Sequence, residues 1–275
     1  MRPFRRLLVL LPLLATLRPA AATPALGEGE SLVYRVGWGI IFGAGEIRIA
    51  ASEAPPENGR LRLLVTTTTT TRGLARIIFP FQARADALFD VPTGRLLTTT
   101  ESSKSDRKET KDTVTFDYAK SLASYVDQLN PQRTTTLPMP AGEPLDLIMS
   151  LVQTRAWNLK PGETRDVLVL FDDEFYELTI HAERYEQLDT ALGSFNTLVL
   201  VPRMEKTPPK GMFKRGSGVR VWISQDERRL PVKFQVEFKF GSGVATLVSY
   251  QPPASRTAVA APPAGAVADP PAASR

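Results

Sequence analysis

Few side chains in this sequence are suited to chemistry. His181 is its only histidine, so a Ser–His–acid triad would have to use it. It stands in Leu178-Thr179-Ile180-His181-Ala182-Glu183, on the polar face of an alternating stretch with Glu177, Thr179 and Glu183. That is the setting of a solvated strand histidine. No G-x-S-x-G elbow presents a serine, and Ser217 and Ser242 lie in Gly-Ser-Gly steps that hairpin turns explain. Ser105-Asp106-Arg107-Lys108 spells S-x-x-K, but it falls in a charged run between strand-like stretches and no K-T-G follows. The absence of cysteine removes thiol nucleophiles, thiolate zinc sites and disulfides. Gly37-Trp38-Gly39 and Gly43-Ala44-Gly45 lack the spacing and following helix of a nucleotide loop, and no calcium-loop spacing occurs. Acids cluster at Asp172-Asp173-Glu174 and Asp226-Glu227. Paired carboxylates can run glycoside hydrolysis, which depends on a separation that spacing does not give; at hairpin tips they are turn formers. The reading therefore assigns no catalytic residue, no metal and no cofactor.

What remains is apolar. Ile77-Ile78-Phe79-Pro80-Phe81 follows a short helical turn over Arg72 to Ile78 and lacks clean alternation. It reads as core or as a mobile lip over a cavity. Trp38, Phe79, Phe81, Met149, Trp157 and Trp222 are the candidate residues for an apolar ligand.

The elements that must position them are mostly strands. Val232, Phe234, Val236, Phe238 and Phe240 alternate with Lys233, Gln235, Glu237 and Lys239, the pattern of a half-buried antiparallel strand. Gly241-Ser242-Gly243 then reads as a turn, with Val244, Thr246, Val248 and Tyr250 returning. The same pattern recurs at 32–38, 47–49, 61–71, 85–89, 114–118, 167–171, 176–182, 195–201 and 219–223. One segment differs: Pro144 to Arg155 has apolar residues at 145, 148, 151 and 152, a helical spacing, with Asp146 suited to the helix start. The fold expected is all-β with one or two short helices: a curled antiparallel sheet of about twelve strands, forming an open or closed barrel plugged by the helix near 145–156. A curl wider than eight strands must contain something, and a lipophilic ligand could share the space with the helix.

The ends of the chain differ from its body. Arg2, Arg5 and Arg6 precede an apolar run from Leu7 to Leu17, followed by Ala20, Ala21 and Ala22. This is the pattern of a secretory signal peptide over 1–22, too short to span a bilayer. It predicts a periplasmic protein that is not a lipoprotein, because no cysteine follows the leader. The last 24 residues hold 6 prolines and 9 alanines and read as a disordered tail, which leaves 23–251 as a single β-rich domain. Of 34 basic and 29 acidic residues, the leader holds four arginines and no acid, and the tail two arginines and one aspartate. The body therefore carries 28 of each, which argues against nucleic-acid binding. Arg203, Lys206, Lys210, Lys214 and Arg215 form a local basic run that reads as a solvated loop, or as a contact for anionic headgroups.

The ordered features carry a resemblance. They are Leu32 to Ile40 running into Gly43-Ala44-Gly45, the Asp146–Arg155 helix, Leu159-Lys160-Pro161-Gly162-Glu163, Gly193-Ser194-Phe195, and Val221 to Val232 with its W-x-S-x-D-x-x-R-x-P pattern. Together they resemble the bacterial exported family DUF3108 over most of 30–250. The resemblance implies a periplasmic β-rich domain and brings no catalytic residues. The functional reading is a non-enzymatic domain that holds an apolar or lipid-like ligand in envelope maintenance, with no integral span in the mature chain. The alternatives are a structural or interaction protein with a packed interior and an envelope protein partner, or a carboxylate-based envelope hydrolase.

Overall fold

Alternating side chains govern the architecture: fifteen strands join in a single sheet. The computed structural model describes residues 24–39, 41–209, 213, 218–238 and 241–254. The segment read as a leader over 1–22 and nearly all of the Pro/Ala tail lie outside the described residues, as do Lys210, Lys214, Arg215, Ser217, Lys239 and Phe240.

From β1 (Ser31–Trp38) an antiparallel meander runs through β2 (Ile41–Glu57), β3 (Arg60–Thr71), β4 (Phe81–Asp90), β5 (Arg95–Ser105), β6 (Glu109–Asp117) and β7 (Leu122–Asp127) to β8 (Thr135–Pro138) at one edge. A second meander follows β10 (Thr164–Phe171), β11 (Glu174–Thr190), β12 (Gly193–Arg203), β13 (Val219–Ser224), β14 (Pro231–Phe238) and β15 (Gly241–Gln251). β15 pairs with β1, so the first and last strands lie side by side in mid-sheet. The other edge is β9 (Leu145–Asp146), two residues paired in parallel with β10.

No ladder joins the two edges, but side chains do. The Tyr125 hydroxyl donates to Asp172 at 3.1 Å, and Arg133 reaches Asp172 at 3.0 Å and Asp127 and Asp173 at 3.5 Å. The sheet therefore curls until β7 and the β10–β11 turn touch, an open barrel rather than a closed one. Its inner face forms one core that includes Leu32, Tyr34, Ile49, Val65, Phe89, Val114, Ile180, Leu198, Ile223 and Leu247.

The segment predicted to be helical over 145–156 divides in three: β9, then α2 (Leu147–Gln153), then a 3-10 turn at Thr154–Ala156. Asp146 caps α2 by accepting from the Met149 N–H at 2.7 Å. Met149, Ser150, Leu151 and Val152 are buried, and the apolar ones join the sheet core, so α2 plugs the curl. The Arg155 guanidinium pins its far end. It donates to Glu30 at 2.6 Å and to the Ala25 and Arg228 carbonyls at 3.3 and 2.7 Å. Glu30, almost wholly buried, also accepts from Gly27 N–H and the Tyr250 hydroxyl.

Three expectations are corrected. The described residues form fifteen strands against about twelve expected, because alternation does not reveal β5, β7, β8 and β9; β5 turns Thr99, Glu101 and Ser103 inward, where an apolar pattern would have marked it. Gly241-Ser242-Gly243 belongs to β15 and is not the turn, since Phe238 pairs with Gly241. The inward residues of β15 are Ala245 and Leu247; a bulge at Val248 then flips the register so that Tyr250 faces inward opposite Leu32.

Removing one partner of a buried ion pair leaves the other charge unpaired. Arg155→Ala is expected to destabilise the fold by about 3–5 kcal/mol in urea unfolding, and pairing it with Glu30→Gln to recover much of that loss.

Candidate functional site

In an antiparallel meander alternate connections share an end. The β1–β2, β3–β4 and β5–β6 connections lie at one end of the barrel; Glu30, Arg155 and the β13–β14 turn lie at the other, plugged end. The open end carries the apolar residues. Trp38 closes β1, and its ring lies against β15: a Cβ placed on Gly243 would sit 3.4 Å from the indole. Gly243, read as a turn former, thus lies within a strand beside this ring. Between β3 and β4 stands α1 (Gly73–Ile78), which covers the helical turn expected over 72–78. The Arg72 N–H donates to the Ala44 carbonyl at 2.8 Å and the Phe81 N–H to the Thr71 hydroxyl at 2.9 Å, closing the base of the connection.

These elements enclose a cleft of about 510 Å³. Val36, Trp38, Ile41, Ile78, Phe79 and Phe81 line it with Ala44, Gly45, Ala75 and Thr69 to Thr71, and no charged side chain contributes. Three of the six candidate residues, Trp38, Phe79 and Phe81, thus come together although 41 positions separate the first two in sequence. The other three do not join them. Met149 is core under α2. Trp157 stacks under Arg165 at 4.6 Å and lines a separate, mixed cleft of about 380 Å³ between Leu96 and Leu168, near the seam of the sheet. Trp222 alternates with the inward Val221 and Ile223, so it faces the opposite side of the sheet. There Lys233 lies 4.1 Å over its ring and its indole N–H donates to Glu186 at 3.2 Å. Val36, Ile41 and Ile78 complete the apolar lining; Ile78, next to Phe79 in the apolar run, was the one that the sequence could have added.

The polar candidates are engaged elsewhere. His181 lies 2.9 Å from Glu205, part-buried rather than in open solvent, although the approach is not that of a hydrogen bond. Arg203 pairs with Glu183 at 3.1 Å, and Lys206 with Asp166 and Glu177, so the described part of the basic run is neutralised by acids. Among the described residues no cluster of His, Cys, Asp or Glu could hold a metal ion, and no helix is long and apolar enough to cross a membrane.

The pairing register shows one arrangement that spacing hides. Glu101 pairs with Asp112 across β5–β6, and Asp112 with Asp127 across β6–β7. Three acids thus stand in a row on the inner face, where like charges directly opposite repel. Burial, then the charges of Asp146, Asp112 and Asp172, push the Glu101 carboxyl up to about 8. Burial, then Asp172 and Asp127, raise Asp112 to about 6. Burial alone raises Asp146 to about 6, against the backbone N–H groups of Met149 and Ile148 that favour its anion.

The sequence profile of the family described as "Protein of unknown function (DUF3108)" matches residues 33–248. The chain belongs to the DUF3108 family. No curated protein matches it. Among solved structures, a β-barrel-like protein of the domain of unknown function DUF1849 from Brucella abortus superposes on this DUF3108 chain with a TM-score of 0.52 at 7% identity, covering 82% of this chain and 98% of that one. At that identity the likeness concerns the fold alone. A Parabacteroides distasonis protein provisionally described as a lipoprotein gives a TM-score of 0.33 at 10% identity over 84% and 99% of the two chains. A Bacteroides fragilis protein with a YmcC-like fold gives 0.30 at 10% over 85% and 100%.

The acid row makes the DUF3108 domain sensitive to pH. An unfolded glutamate loses its proton near 4.5, whereas folded Glu101 keeps it to about 8, so stability falls as pH rises through that window. Glu101→Gln is expected to stabilise the protein at pH 8.5 relative to pH 4.5 by at least about 1.4 kcal/mol, the value of one pKa unit. Urea unfolding at both pH values measures it.

Proposed function

We propose that this protein is a non-enzymatic carrier or sensor that seats an apolar, lipid-like ligand in the open-end cleft and serves the cell envelope after export. The observation that carries the reading is the lining of that cleft: aromatic and aliphatic carbon with threonine methyls, open at the rim and free of charge. Such a pocket gains from removing acyl carbon from water and has nothing with which to activate it. Poverty of nucleophiles and the absence of cysteine fit a binding role better than hydrolysis. The basic–apolar–small leader read at 1–22 supports export.

A packed interior is the second reading, favoured by the core that α2 fills at the plugged end. The two meet in one arrangement, a solid lower barrel with a ligand seat only at the rim.

Titration of delipidated protein with a fluorescent fatty acid such as cis-parinaric acid tests the proposal. Saturable binding is expected, weakened roughly ten-fold by Phe81→Ala, the loss of one partly buried aromatic contact. No saturable binding, or affinity indifferent to both Phe81→Ala and Phe79→Ala, would overturn it.

A further inference from the structure

Next to the cleft, α1 is built the wrong way round for a soluble domain. None of its residues is buried. Leu74 and Ile77 are exposed outside the cleft, Ile77 at 79%; Ile78 and Phe79 at its rim are largely exposed as well, and Phe42 at the start of β2 is 93% exposed. Short connections in soluble proteins place polar residues at such positions, and a contiguous apolar patch marks a surface that something else covers. The patch is a lip. It is held up by two tight anchors, the Arg72–Ala44 backbone bond and the Phe81–Thr71 bond, so it is presented rather than merely loose.

We infer that this lip is a membrane-docking face: Phe42, Leu74, Ile77 and Phe79 enter the headgroup boundary of an anionic bilayer while neighbouring cations hold the lipid phosphates. Charge selects this occupant. Arg76 lies within α1, and Arg107 and Lys108 lie in the β5–β6 connection, which the Phe81–Ser105 pairing sets beside it. Among the described residues these three side chains have no ion-pair partner, although the charge of Lys108 also acts on Asp112; they outnumber Asp106, while Arg72 shares Glu46 and Lys104 shares Glu109. Exposed apolar side chains flanked by unpaired cations are the composition of an interfacial anchor. A second copy docking lip to lip would set Arg76, Arg107 and Lys108 against their own duplicates, which an anionic surface avoids.

The inference goes beyond the ligand reading and can be separated from it. Phe42, Leu74 and Ile77 do not line the cleft, whereas Trp38, Phe79 and Phe81 do. The test is flotation of the purified full-chain product with phosphatidylcholine vesicles, with and without phosphatidylglycerol. Binding is expected only with phosphatidylglycerol, to weaken as salt rises, and to fall at least about ten-fold in Phe42→Ser/Ile77→Ser through lost apolar insertion. Arg76→Gln/Arg107→Gln is expected to lower affinity and flatten the salt dependence. Fatty-acid titration of Phe42→Ser/Ile77→Ser should match the parent protein, which shows that the variant is folded and its cleft intact. Failure of the parent to float with either vesicle, or equal flotation of the serine variant, would overturn the inference while leaving the cleft untouched. So would concentration-dependent dimers in sedimentation equilibrium that the serine variant abolishes, because the lip would then serve self-association.

Discussion

Pairing of the first strand with the last is the constraint on which this molecule depends. β1 and β15 lie side by side in mid-sheet, so neither meander has a complete inner wall without the other. The contacts that seal the plugged end presuppose it: Arg155 meets Glu30 just before β1, Tyr250 of β15 donates to that same carboxylate, and the Tyr34 hydroxyl reaches the Pro231 carbonyl at 2.8 Å. The cleft depends on it too, because Trp38 of β1 rests on Gly243 of β15. Contacts between residues more than 200 positions apart carry a large loop-closure entropy, so this join is the slow, cooperative step expected of a high-contact-order sheet.

Much of the fold was legible in the sequence because burial on one face imposes a period of two. Val114 and Phe116, or Leu178, Ile180 and Ala182, declare their strands and their inward side together. Legibility fails where the inner face turns polar, as in β5, and where a bulge inverts the pattern, as at Val248. It fails again where glycine sits inside a strand: Gly243 looks like a turn residue and pairs within β15 beside the Trp38 indole. Helix α2 was visible through its spacing and its Asp146 cap, whereas the two-residue strand that precedes it has no pattern long enough to read.

The site was half legible, for a related reason. An aromatic residue announces that it belongs against carbon, but not which carbon. Met149 and Trp222 satisfy that need within the fold, Trp157 lines another cleft, and Trp38, Phe79 and Phe81 line the open one. The acid row of Glu101, Asp112 and Asp127 has no local signature at all, since it exists only through strand register. It places repulsion at the seam where β7 meets the β10–β11 turn, a wall that polar groups, rather than carbon, must hold together.

The two free edges of the sheet carry a consequence of their own. β8 is four residues long and ends at Pro138, and β9 is two residues long, directly after Pro144. A wide open sheet would ordinarily offer long rails of unpaired amides to any passing strand. Here the terminal strands are short, with proline removing a donor beside each, but β9 covers only Val169 and Leu170 of β10 and leaves Thr164 to Leu168 without a ladder partner on that side. When copies of the chain crowd together, that stretch of β10 is where edge-to-edge growth would have to begin.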